Sequence, residues 1–102
     1  MMNTERIRLF YDNHCYETEI IDFYIFPDWA VLKEETYEHG DGGAYGLKYV
    51  LDPANFQKFI ALMESGGRDC HDTITDLFSG ADGAKKFCAY CREHQLEYVM
   101  YC

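Results

Sequence analysis

A chain of 102 residues with 18 acidic and nine basic side chains carries a formal charge of −9, and 48% of its residues are hydrophobic and 17% aromatic. That length suits one core, giving a single α+β domain over residues 1–102, and the apolar content speaks against a disordered chain despite the charge. A membrane helix is not expected, because the longest apolar stretch, residues 20–26, is interrupted by Asp22 and falls far short of the roughly 20 residues needed.

The opening MMNTERIRLF has no basic region followed by an apolar block, so no secretory signal is read and the expected location is cytoplasmic. Five cysteines would there remain reduced thiols, and their odd number is a poor basis for a disulfide framework.

In chain order, RIRLFYD alternates as a strand, with Ile7, Leu9 and Tyr11 on one face and Arg6, Arg8 and Phe10 on the other. YETEIIDFYIF and WAVLKEETYE follow as two more strands. The four residues Phe26-Pro27-Asp28-Trp29 between them suit a loop built on a type I turn, since Pro27 cannot take positive φ. That loop sets a register: Ile25 faces Ala30, Phe23 faces Leu32, Asp22 faces Lys33, Ile21 faces Glu34 and Glu17 faces Glu38. Asp22 and Lys33 would then form a favourable cross-strand pair. One face carries Ile21, Phe23, Ile25, Ala30 and Leu32, with Glu17, Glu19, Glu34 and Glu38 at its open end. The other carries Tyr16, Tyr24, Phe26, Trp29, Val31 and Tyr37.

HGDGG (39–43) reads as a flexible hairpin loop into a fourth strand, AYGLKYVL. Asp52 and Pro53 mark the N-cap and first position of a helix whose stripe is Phe56, Phe59, Ile60 and Met63 and whose stop is Gly66-Gly67. A short helix capped by Asp69 or Asp72 buries Ile74, Leu77 and Phe78. A third runs from about Asp82 to His94, and LEYVMYC alternates as a last strand. The expected fold is α+β: an antiparallel sheet of four to five strands, an N-terminal meander plus a C-terminal strand, with two to three helices packed on one face.

Two constellations carry chemistry. Cys88-x-x-Cys91 with His94, and Cys70-His71 upstream, has part of a zinc-ribbon spacing. On a helix, however, Ala84, Phe87, Cys88, Cys91 and Gln95 share one stripe with Lys86, Tyr90 and Glu93 opposite, so the reading preferred is two core cysteines and no cofactor. A zinc-stabilised domain using Cys70 or His71, Cys88, Cys91 and His94 is the alternative. A thioredoxin-like role fits less well, since that pair belongs at a helix N-terminus.

The second constellation is charge. Between residues 12 and 41 stand nine acidic side chains, Asp12, Glu17, Glu19, Asp22, Asp28, Glu34, Glu35, Glu38 and Asp41, against Lys33 alone, while the basic residues are dispersed along the sequence. Direct nucleic-acid binding is disfavoured, because phosphates need a basic stripe, and a basic protein partner is the complement. In composition, with no motif behind it, the chain is similar to small nuclease inhibitors of phages and mobile elements. The functional expectation is therefore a non-enzymatic acidic protein-binding module that occupies the basic groove of a nucleic-acid-handling machine. Glu17, Glu19, Glu34 and Glu38 would be its charged surface and Tyr16, Trp29 and Tyr37 its apolar anchors, with no membrane partner and homo-oligomerisation left open.

Overall fold

A computed structural model describes residues 4–40 and 42–102. Asp41, counted above among the acidic residues, lies outside them. The elements are β1 (Glu5–Asn13), β2 (Glu17–Ile25), β3 (Ala30–Glu38), β4 (Ala44–Leu51), α1 (Pro53–Met63), α2 (Cys70–Phe78), α3 (Gly83–Glu93) and β5 (Val99–Tyr101). The strands form one open antiparallel sheet in the order β1-β2-β3-β4-β5, and the helices pack on one face of it, an α+β architecture. Among the described residues, no helix is long and apolar enough to cross a membrane.

The β2–β3 register is the one the four-residue loop implies, from Ile25 opposite Ala30 to Glu17 opposite Glu38. The Phe26 N–H donates to the Trp29 carbonyl at 2.8 Å and closes that loop. The helices cover the face of Phe23 and Leu32, both fully buried.

Four local expectations are corrected. In β1 the pairing slips between Arg8 and Phe10, a bulge at Leu9 that turns Phe10 toward Ile21 and the core and leaves Tyr11 exposed on the other face. The Leu9 carbonyl accepts the Gly80 N–H at 3.0 Å, so the bulge is tied to the end of α2. Asp22 pairs with Arg8 across β1, at 2.6 and 3.3 Å, while Lys33 sits 3.6 Å from Glu35; the planar guanidinium presents donors on two nitrogens to the two carboxylate oxygens, a fork that an ammonium with all its donors on one nitrogen cannot form. In α2 it is Thr73, with Ile74 and Phe78, that is buried, and Leu77 is exposed. The last strand is only three residues long.

Both helix starts foreseen from aspartates are formed: Asp52 accepts from the Asn55 N–H at 2.9 Å and Asp69 from the Asp72 N–H at 3.1 Å. Positive φ at Gly66 and Gly67 (74° and 78°) terminates the α1 segment. Gly83 opens α3 where a Cβ would lie 2.3 Å from the Phe78 carbonyl oxygen, so only glycine lets α3 start this close to the end of α2.

The C-terminus of α3 departs from the expected stripe. Gln95 lies past the helix at φ 58°, its N–H bonding the Arg92 carbonyl at 3.3 Å and the Leu96 N–H bonding Cys91 at 2.7 Å. This is the Schellman arrangement that usually places glycine at the left-handed position. Gln95→Gly is expected to stabilise the protein by about 1 kcal/mol, read as a higher urea midpoint with unchanged m-value, because it removes a left-handed penalty of that order. A lower midpoint would show that the Gln95 side chain contributes more than its backbone costs.

Candidate functional site

The carboxylates gather towards the open end of the β2–β3 hairpin, away from its turn. Glu17 stands directly opposite Glu38. Glu19 and Glu34 line one small cleft beside Ala81, in the turn between α2 and α3. Asp12, brought to this face by the Leu9 bulge, stands opposite Glu19. Without the bulge it would have pointed the other way, so reading β1 as a simple alternation hid it. The ring of His14 joins the group, its Nε2 being 3.8 Å from Asp12 and 3.9 Å from Glu17.

Among the described residues, no strand position on this helix-side face is Lys or Arg. The five carboxylates Asp12, Glu17, Glu19, Glu34 and Glu38 therefore repel one another with one imidazole among them. Asp12, His14 and Glu19 each offer a ligand atom within 4.8 Å of the other two.

The aromatic anchors divide. Tyr16, 83% exposed, sits in the β1–β2 turn beside the acidic end. Its carbonyl accepts the His39 N–H at 2.9 Å, and the His39 ring meets the Cys15 carbonyl at 3.2 Å and Thr18 Oγ1 at 2.9 Å. The first residue of the glycine loop is thereby docked on the β1–β2 turn. Tyr37 projects from the opposite face and donates its hydroxyl to Glu35, which raises the Tyr37 pKa. Trp29 lies at the other end of the hairpin, about 30 Å from Glu38 by strand rise, and stacks on Phe26 at 4.0 Å. Only Tyr16 adjoins the carboxylates.

The cysteine constellation is spread over the helices. Cys91 is fully buried and Cys88 half-buried against the same core. Tyr90 was expected to point away from that stripe. It packs edge-on to Phe59 and Phe78 instead, because α3 is flanked by α1 and α2 and needs more than one apolar stripe. Burial pushes the Cys91 thiol up to about 12 and the Cys70 thiol up to about 11. His71, next to Cys70 in α2, is paired with Glu5 on β1, and His94 caps α3 with its ring 4.2 Å from that of Tyr90. Cys70, His71, Cys88, Cys91 and His94 do not form a group of three ligand atoms within 4.8 Å of one another, as Asp12, His14 and Glu19 do.

No protein-family model, curated protein or solved structure matches the chain.

Proposed function

We propose that this is a non-enzymatic binding module whose acidic hairpin end engages a basic protein surface, of the kind that otherwise receives a nucleic-acid backbone. The observation that supports it is the set Asp12, Glu17, Glu19, Glu34 and Glu38 on one sheet face, where no described strand position carries Lys or Arg, with Glu17 and Glu38 directly opposed. Like charges held in register cost folding energy that interspersed lysines would recover, and a cationic partner recovers it on binding. Tyr16 is the apolar anchor beside them. Trp29 and Tyr37 are too far away or on the wrong face to contact the same partner patch.

The test is a pull-down from host lysate at low and moderate salt, comparing the native protein with the Glu34→Lys, Glu38→Lys double variant. The native protein is expected to retain a basic partner that is released by salt and by added polyanion, and the variant to lose it. The variant should melt at the same temperature or slightly higher, since the Glu17–Glu38 opposition becomes an attraction of roughly 0.2–1 kcal/mol. Equal recovery of the same partner by both proteins, or recovery of none by either, overturns the proposal.

A further inference from the structure

The sheet face turned away from the helices has a different electrostatic character from the rest of the molecule. Register places Arg6, Arg8, Lys33 and Lys48 on it, four of the nine basic residues, with only Asp22 and Glu35 as strand carboxylates. The basic residues, dispersed in sequence, are thus partly regrouped by the fold. Lys33 stands directly opposite Lys48 across β3 and β4. Opposed like charges are unfavourable, and in a chain this short of cations the pairing calls for an anion. Glu35 lies 3.6 Å from Lys33 but also accepts from Tyr37, and Lys48 has no ion pair among the described residues.

One pleat away, Val31 faces Val50, and these two valines with Tyr24, Phe26 and Trp29 line a groove of about 370 Å3 that ends at the two lysines. An apolar groove of this volume with a few convergent polar groups at one end has the construction of a small-molecule site. The grooves beside the first half of β4 are unlike it, since Glu34 lines both.

We infer that this groove binds a small monoanionic amphiphile, a free carboxylic acid with an alkyl or aryl body. The body lies over Val31 and Val50 against Tyr24 and Trp29, and the carboxylate meets the ammonium groups of Lys33 and Lys48. A polyanion does not suit the face, because Asp22 and Glu35 flank the lysines in the register and the molecule as a whole carries −9. The site is separate from the acidic hairpin end and does not depend on it.

Trp29 is the single tryptophan of the chain, so its fluorescence reports on the groove directly. Titration of the whole protein with octanoate is expected to give a saturable change, and octanamide, the same body without charge, to bind at least roughly fivefold more weakly. Lys48→Gln should weaken octanoate towards the level of the amide, with Lys33 keeping part of the difference, and leave the amide unchanged, and Lys58→Gln on α1 should alter neither. The Glu34→Lys, Glu38→Lys variant should bind octanoate as the native protein does, which keeps this result distinct from that of the acidic end. The inference is overturned if no saturation appears up to about 10 mM octanoate, far weaker than a usable site. It is equally overturned if the amide binds as well as the acid, if Lys48→Gln has no effect, or if a single-stranded oligonucleotide binds more tightly than octanoate.

Discussion

Phe87→Ala is expected to lower the free energy of unfolding by about 3–5 kcal/mol, a large share of the roughly 5–15 kcal/mol that holds a protein of this kind folded. Phe87 is fully buried, and its ring centroid lies 5.9 Å from Phe23, 6.5 Å from Tyr49, 5.9 Å from Phe59, 5.6 Å from Phe78 and 6.1 Å from Tyr98. Those partners come from β2, β4, α1, α2 and the segment before β5, so one side chain joins α3 to the sheet and to both other helices. Four of the contacts are edge-to-face or nearly so, the geometry in which aromatic pairs contribute beyond their buried area. Truncation removes all five at once and leaves a cavity with rigid aromatic walls that collapse poorly. Leu77→Ala on the exposed side of α2 should cost under roughly 0.5 kcal/mol. Urea unfolding of the two variants and the native protein measures both, and a loss below roughly 1.5 kcal/mol for Phe87→Ala would mean that the core relaxes around the gap.

Where a feature depended on local chemistry, it was legible in the sequence. Pro27 limited the β2–β3 turn to one loop length, and from that length the whole register of nine pairs followed. Asp52-Pro53 located one helix start and the pair Asp69 and Asp72 narrowed a second to two candidates, of which Asp69 is the cap, because capping is a matter of three or four residues. What escaped was set by partners distant in sequence. The Leu9 bulge is stabilised by Gly80, about 70 residues away, and nothing in RIRLFYD announces it. With it went the placement of Asp12 opposite Glu19. Asp22 had two cationic candidates, and the choice of Arg8 over Lys33 depended on β1 being the neighbour on its other side.

The candidate site was readable to the same extent. Glu17, Glu19, Glu34 and Glu38 share a face because strands alternate and the register was known. The aromatic anchors share the hairpin with the carboxylates but not their place on it: Trp29 sits at its turn and Glu38 at its open end. The basic outer face was invisible, because Arg6, Arg8, Lys33 and Lys48 come from three strands and only the sheet order aligns them.

Stability is expected to fall steeply above pH 9, and the buried thiol of Cys91 is the main reason. Burial, reinforced by the neighbouring Cys88, raises its pKa from 9.0 to about 12. Cys70 rises to about 11 through burial. In each case the folded protein holds a proton that the unfolded chain releases at lower pH. Below pH 9 both states of Cys91 are protonated and its contribution is complete. Between pH 9 and about 12 the unfolded state binds fewer protons, so the free energy of unfolding declines with rising pH, by about 1.4 kcal/mol per pH unit for one fully shifted group. Urea midpoints measured from pH 7 to 10.5 should therefore be flat to about pH 8.5 and then drop. Cys91→Ala separates this from general alkaline denaturation. At pH 7 the variant should be less stable than the native protein, by an amount within the roughly 0.5–3 kcal/mol usual for point substitutions, since a buried sulfur is lost from the core. As the pH rises, only the native protein has the Cys91 thiol to deprotonate, so the gap should narrow by about 2 kcal/mol by pH 10.5. A gap that stays constant from pH 7 to 10.5 would mean that the Cys91 thiol ionises as readily in the folded protein as in the unfolded chain, and that its burial in the core does not hold the proton.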